Sequence, residues 1–211
     1  KDKGNKGEIL QMIKNILFDV GNVLLDFDPE RFLKEAGYTK EQQEIAMRCV
    51  FTHPLWDQLD KGTVMEKEAL QEFIKADPAQ EALIREIAGR TKETLFPLSY
   101  ADDWVKSLKA QGYPVYILSN YAGELYEKTK HLMTFLQYVD DALFSYQCKM
   151  IKPDREIYAY ACEKFNILPQ ETVFIDDRAK NIAGAREFGL QALQFTSYEE
   201  TSAGLRALLG K

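Results

Sequence analysis

The chain has 211 residues, 45% of them apolar and 28% charged, which is ordinary globular composition and enough length for one core, or one core with a modest inserted domain. A net charge of −6 without any basic stripe argues against a nucleic-acid backbone as partner. No apolar run approaches the roughly 20 residues that a membrane span requires, so no membrane partner is expected either. Cys49, Cys148 and Cys162 lie far apart without CxxC spacing. That fits free thiols in a reducing cytoplasm better than a disulfide framework or a zinc site, and a cytoplasmic location is expected.

Residues 1–11 are polar and Gly-containing, with no apolar signal core. They are expected to be a disordered extension, neither signal peptide nor anchor, with Met12 opening the folded unit. Ile13, Ile16, Leu17 and Phe18 are too dense for a half-exposed strand and predict a buried parallel strand. Asp19 follows, then Gly21 and Asn22, which let the chain turn sharply. Residues 23–27 are short and apolar, a small hairpin flap beside that turn. Asp28-Pro29-Glu30 is a helix start: a capping carboxylate, Pro at the first helical position and acid in the first turn.

From there to about residue 90 the pattern is helical. Residues 41–51 form one segment with Ile45, Val50 and Phe51 among its apolar positions. Thr63-x-x-Glu66 predicts a capping box for a helix with Leu70, Phe73 and Ile74 on one face. Asp77-Pro78 opens another, with Leu83, Ile84 and Ile87 inward. No convincing strand occurs, so residues 29–97 are read as a separate helical subdomain, and residues 12–28 and 98–211 as the core.

Strands and helices then alternate. A helix carrying Trp104, Val105 and Leu108 stops at Gly112, and the run from Pro114 to Leu118 ends in Ser119-Asn120. A helix over residues 123–132 and a short strand over 142–145 follow. Lys152-Pro153 precedes a helix over residues 154–165, and the buried run Thr172-Val173-Phe174-Ile175 closes with Asp176-Asp177. A helix ending at Gly189, a strand over residues 191–195 and a helix opened by Ser197-x-x-Glu200 complete the chain. This alternation predicts an α/β fold with a doubly wound parallel sheet.

Polar residues stand directly after each apolar strand: Asp19, then Ser119-Asn120, then Asp176-Asp177. One Asp after a strand is ordinarily a turn residue. In a parallel sheet, however, all of these groups emerge at one edge, where ligands bind in open α/β folds. Three carboxylates brought together out of water repel each other and rise in pKa unless a cation lies between them. Oxygen-only ligands of this kind suit Mg²⁺, and Lys152 adds a mobile ammonium able to meet a phosphate oxygen.

With these four pieces in order, the chain resembles the haloacid dehalogenase (HAD) superfamily over roughly residues 13–195. Phe-Asp19-Val-Gly-Asn-Val is similar to its first motif, Leu-Ser119-Asn to its second, Lys152-Pro to its third and Phe-Ile-Asp176-Asp177-Arg-x-x-Asn-Ile to its fourth. The helical insert matches a C1-type cap on a Rossmann-like core. The resemblance implies that Asp19 is the nucleophile and forms an aspartyl-phosphate, with Lys152 stabilising both it and the transferred group. It implies Mg²⁺ held by Asp19, the Gly21 carbonyl and Asp177, with Asp176 beside it or through water. Ser119, Asn120, Lys152 and the Gly21 backbone would meet the phosphate of a small phosphorylated metabolite, such as a sugar phosphate. The expected molecule is a monomer or weak homodimer.

One position departs from that pattern. Phosphatases of the superfamily usually carry a second Asp two residues after the nucleophile, as general acid and base; here Gly21 stands there. Unless water or a cap residue supplies the proton, anomeric or acyl phosphates should be favoured over simple monoesters. His53, Trp56 and Asp60 lie in the least regular stretch of the cap and are the residues placed to reach the site, although packing explains Trp56 and a loop explains His53. Two other readings remain at this level. A 2-haloacid dehalogenase would not need Asp176-Asp177, and a phosphate-binding protein without turnover would not need the intact nucleophile.

Overall fold

The computed structural model describes residues 12–210; the extension expected over residues 1–11 lies outside them. In chain order these residues form β1 (Asn15–Phe18), β2 (Leu25–Phe27), α1 (Pro29–Glu35), α2 (Lys40–Ala46), α3 (Trp56–Asp60), α4 (Glu66–Ala76), α5 (Glu81–Gly89) and β3 (Leu95–Pro97). Then follow α6 (Ala101–Ala110), β4 (Val115–Ser119), α7 (Gly123–Thr129), β5 (Asp141–Phe144), α8 (Ser145–Cys148) and α9 (Arg155–Phe165). The chain ends with β6 (Thr172–Asp176), α10 (Ala179–Phe188), β7 (Gln191–Gln194) and α11 (Tyr198–Leu208). Among the described residues, no helix is long and apolar enough to cross a membrane.

Five strands pair in parallel in the order β5-β4-β1-β6-β7, flanked by helices in the Rossmann-like manner. The register sets Ile16 beside Val115 and Val173, and Phe18 beside Ile117 and Ile175. These residues share one sheet face, where Trp104 and Leu108 of α6 and Leu205 of α11 cover them. Leu17, Leu118 and Phe174 point the other way, into Ile157 and Tyr158 of α9 and Ile182 and Ala185 of α10. Both faces are thus buried, which is why the strands read as continuous apolar runs. Each such fully buried side chain contributes about 2 kcal/mol of burial free energy.

The chain leaves the core after β1 and re-enters it after the helices α1–α5. The expected local flap over residues 23–27 is reduced to a tight turn closed by a single bridge between Gly21 and Leu25, with the Asn22 N–H on the Leu25 carbonyl at 2.8 Å. β2 instead forms an antiparallel two-stranded ladder with β3, Leu25 opposite Pro97 and Phe27 opposite Leu95. The end of the insert therefore contains a strand that the sequence did not disclose, since three residues are too few to show a period. This ladder is the neck on which the helical insert stands.

Helix starts follow the local signals in part. Asp28 Oδ1 accepts from the Arg31 N–H at 2.8 Å with Pro29 behind it, as expected. Residues 41–51 form helical structure throughout, but α2 passes into a π-helical turn at Met47–Phe51. The capping box predicted at Thr63 does not form. Thr63 Oγ1 donates to the Gln58 carbonyl at 3.1 Å, while the Glu68 carboxylate receives the Met65 N–H at 2.9 Å, moving the helix start two residues on.

Candidate active site

β1, β4 and β6 are adjacent, so the residues at their C-terminal ends meet at the middle of one sheet edge. Asp19 follows β1 directly. Its own N–H continues the ladder onto the Ile175 carbonyl at 2.9 Å, and its Oδ1 takes the Val20 N–H at 2.7 Å. The carboxylate is thereby fixed in orientation, almost entirely out of water, and burial pushes its pKa up.

Lys152 lies opposite. It was expected as a mobile ammonium, and that is corrected: Lys152 is 1% exposed. Its Nζ reaches Asp19 Oδ1 at 2.8 Å, Asp176 Oδ2 at 2.6 Å and the Leu118 carbonyl at 2.9 Å, which occupies all three of its protons. Burial works against the ammonium, but Asp176 and Asp19 outweigh it and raise its pKa, so Lys152 stays charged.

The backbone carrying Lys152 is clamped by Asn120, whose Oδ1 accepts from the Lys152 N–H at 2.8 Å and whose Nδ2 donates to the Lys152 carbonyl at 3.0 Å. Asn120 and Lys152 both line the cavity above the sheet edge. Ser119 is the last residue of β4, buried, and among the described residues its hydroxyl makes only a long 3.5 Å contact with the Asn120 carbonyl.

The two consecutive carboxylates have different surroundings. Burial disfavours the Asp176 anion, yet Lys152, the Arg178 N–H at 2.8 Å and Asn181 Nδ2 at 3.0 Å from both oxygens hold its pKa below the ordinary value. Both of its oxygens are engaged. Asp177 is half-buried, raised by burial, and receives Asn22 Nδ2 at 3.0 Å. Carboxylate oxygens of Asp19, Asp176 and Asp177 all lie within 4.8 Å of one another. Lys152 is the ammonium in direct contact with this cluster, Arg178 acts on Asp177 from further off, and an all-oxygen donor set of this sort fits a hard divalent cation.

Sequence reasoning did not assign roles to Asn22 and Asn181. Asn22 has a positive φ of 56° and also accepts the Phe27 N–H at 2.9 Å, so one side chain shapes the loop after β1 and orients Asp177. Asn181 sits five residues after Asp176 on the first turn of α10, facing back to it. The Tyr158 hydroxyl donates to the Asn181 carbonyl at 2.8 Å. The available signal was an Asn three residues after Asp19 and another five residues after Asp176.

Above these groups opens a cavity of about 570 Å³, roofed by the insert. Asp19, Gly21, Asn120, Lys152 and Asp177 line it from the sheet edge; His53, Trp56, Asp57 and Asp60 line it from the insert. Trp56 Nε1 donates to the Val50 carbonyl at 2.5 Å, and His53 Nδ1 accepts the Leu55 N–H at 3.2 Å, with its ring edge-on to Phe73 at 5.1 Å. Both are therefore packed residues of the insert that also line the cavity.

A family model described as haloacid dehalogenase-like hydrolase matches residues 13–189. The chain belongs to this family. The haloacid dehalogenase-like hydrolase is 28% identical over 199 residues to a D-ribitol-5-phosphate phosphatase of Bacteroides thetaiotaomicron, covering 87% of this chain and 92% of that protein. It is 23% identical over 201 residues to a sesquiterpene phosphatase of Aspergillus oryzae, covering 93% and 97%. A HAD family enzyme from Bacteroides thetaiotaomicron, crystallised as wild-type protein with magnesium and inorganic phosphate, superposes with a TM-score of 0.71 at 26% identity, covering 92% of this chain and all of the other. The hydrolase thus has relatives named as phosphatases that match over nearly their whole length, and a structural neighbour in complex with magnesium and inorganic phosphate.

Proposed function

We propose that this hydrolase is a Mg²⁺-dependent phosphatase of a small phosphorylated metabolite, with Asp19 as the nucleophile. The observation that carries the reading is the buried Asp19 carboxylate, oriented by the Val20 N–H and 2.8 Å from Lys152, with the Asp177 carboxylate in the same cluster. Asp19, the Gly21 carbonyl and Asp177 would hold the metal, with Asp176 beside it, since both Asp176 oxygens are already occupied by Lys152, Arg178 and Asn181. Mg²⁺, when bound, supplies the positive charge that draws phosphoryl oxygens toward the carboxylate cluster.

Asp19 attacks phosphorus, the bond to the leaving oxygen breaks, and an aspartyl-phosphate forms that water then hydrolyses. Lys152 holds the nucleophile in place and stabilises charge on the transferred group. Ser119 and Asn120, at the end of β4, are the proposed contacts to the phosphoryl oxygens. Residues 29–97 act as a cap that closes the cavity from water, with residues 12–28 and 98–211 as the core. A cavity of about 570 Å³ suits a small metabolite, and the relatives above are named as a D-ribitol-5-phosphate phosphatase and a sesquiterpene phosphatase. A dehalogenase acting on a carboxylate has no use for the acidic pair, which favours the phosphatase. The proposed setting is the cytoplasm, and the proposed form a monomer or weak homodimer.

Phosphate release from a panel of phosphorylated metabolites, with Mg²⁺ and with EDTA, tests this beside Asp19→Asn. Release that requires both Mg²⁺ and Asp19 is the expected result. Metal binding without release from any compound would make the chain a phosphate-binding protein instead.

A further inference from the structure

Asp19 has no proton donor beside it on its own loop. Gly21 carries no side chain, and a Cβ built there would meet nothing within 4 Å, so space is open at that point. Asn22 is committed to Asp177 and to the Phe27 N–H. The Tyr121 hydroxyl shares a hydrogen bond with Thr129 Oγ1 at 2.8 Å, and burial pushes its pKa further up. With these groups committed or absent, the side chains left to protonate a leaving alcohol are those that line the cavity from the insert, beside water itself.

Asp60 is the last residue of α3 and faces that cavity. The chain from Asp60 to Gly62 is tied down at three consecutive residues. Ser145 Oγ donates to the Asp60 carbonyl at 2.5 Å, Lys61 Nζ pairs with Asp154 at 3.5 Å, and Lys149 Nζ donates to the Gly62 carbonyl. The Asp60 carboxyl itself makes no hydrogen bond or ion pair among the described residues, although it is half-buried at the cavity wall. Burial raises it from 3.8 to about 7, with Asp57 adding to the effect and Arg178 and Lys152 across the cavity opposing it. A carboxyl in that range gives up and takes back a proton at neutral pH.

We propose that Asp60, carried by the cap, is the general acid and base of this active site, serving where Gly21 offers no side chain. The inference rests on the phosphatase reading. In the first step Asp19 forms its bond to phosphorus, the ester P–O bond breaks, and the Asp60 proton passes to the leaving oxygen. In the second, the Asp60 carboxylate takes a proton from the water that attacks phosphorus, and the P–O bond to Asp19 breaks. Phosphate leaves, and both carboxyl groups return to their starting states. His53 is the neighbouring cap alternative, but its Nδ1 is taken by the Leu55 N–H and its ring is packed on Phe73.

The test compares kcat/KM for a hexose 6-phosphate and for p-nitrophenyl phosphate, whose leaving group needs no proton. In Asp60→Asn the hexose ester should lose about 100-fold, whereas p-nitrophenyl phosphate changes less than about fivefold and shows a burst of nitrophenolate as phosphoenzyme accumulates. Adding Gly21→Asp to Asp60→Asn should restore hexose 6-phosphate turnover, and His53→Asn should leave the ratio of the two substrates unchanged. A uniform loss on both substrates without a burst, no loss at all, or the same signature in His53→Asn would overturn the role of Asp60 while the phosphatase stands. A wild-type protein inactive on every ester would overturn both. Unfolding midpoints of the variants separate these outcomes from misfolding.

Discussion

Asn22 Nδ2 donates to Asp177 Oδ2 at 3.0 Å, joining the loop after β1 to the loop after β6 across the mouth of the site. The same amide accepts the Phe27 N–H through Oδ1, so the turn that follows Asp19 and the orientation of Asp177 depend on one side chain. Partners behind a metal ligand commonly set its affinity by 10-fold or more. Asn22→Gly keeps the positive φ without strain and removes only the amide. The expected result is about a tenfold rise in the Mg²⁺ concentration giving half-maximal phosphatase activity, with a smaller change in kcat at saturating metal. A titration that superposes on wild type would show that Asp177 needs no such support.

Lys152 and Asp19 should have opposite effects on stability. Lys152 is the one ammonium facing two buried carboxylates, so Lys152→Met leaves those charges uncompensated and should cost about 3 kcal/mol in metal-free protein. Asp19→Asn removes one of the repelling carboxylates, whose ionised form burial already disfavours. It should unfold at equal or higher urea than wild type without metal, although its activity falls by at least about a thousandfold. Urea unfolding of the three proteins in EDTA decides this; a less stable Asp19→Asn would mean that the Lys152 pair outweighs the burial cost of Asp19.

Much of this site is legible in the sequence, because its position follows from burial. Strands covered on both faces must be apolar throughout, so Asp19, Ser119 and Asp176 stand out as the first polar residues at their ends. Parallel pairing then brings them to one edge. Pairings remote in sequence carry no comparable signal. Leu25–Phe27 and Leu95–Pro97 are three-residue strands separated by the whole insert, and neither is long enough to show alternation. Competition among neighbouring side chains is equally silent. Thr63 and Met65 both precede α4, and only the geometry gives the Met65 N–H to Glu68. Lys152-Pro153 reads as an ordinary solvated helix start, and nothing local says that Asn120 will clamp its backbone while β4 and β6 bury its ammonium.

Asp60 predicts a pH-dependent difference between two proteins. Its carboxyl is raised in the fold from 3.8 to about 7, chiefly by burial, so the folded state holds this proton more tightly than the unfolded state. Stability from that proton is present at low pH and is lost as pH rises from about 4 toward 7, above which the loss is complete. Asp60→Asn cannot ionise and escapes it. The variant should be more stable than wild type at pH 8, and the gap should close as pH falls toward 4. Denaturation midpoints at several pH values check this, and a gap independent of pH would mean that the carboxyl is not withdrawn from water.

A substitution outside the cavity should reach Lys152 through the backbone. Gly184 lies in α10 where the helix crosses the loop of Lys152 and Pro153. A Cβ at that position would stand 2.8 Å from the Pro153 carbonyl oxygen and 2.9 Å from the Pro153 Cβ. Gly184→Ala gains about 1 kcal/mol of helix propensity, but it pushes against backbone rather than against a flexible side-chain end. The loop has to give way, and Lys152 moves with it, away from contacts of 2.8 Å to Asp19 and 2.6 Å to Asp176. Misplacement of a catalytic group by about 1 Å can cost 100-fold. The expected variant is folded, with kcat/KM reduced by about that factor and with a nearly unchanged Mg²⁺ requirement, because the proposed metal ligands lie on other loops. Steady-state kinetics with a metal titration test it. Wild-type kinetics would show that the loop absorbs the strain before Lys152, and a raised Mg²⁺ requirement would show that α10 had moved instead, carrying Asn181 away from Asp176.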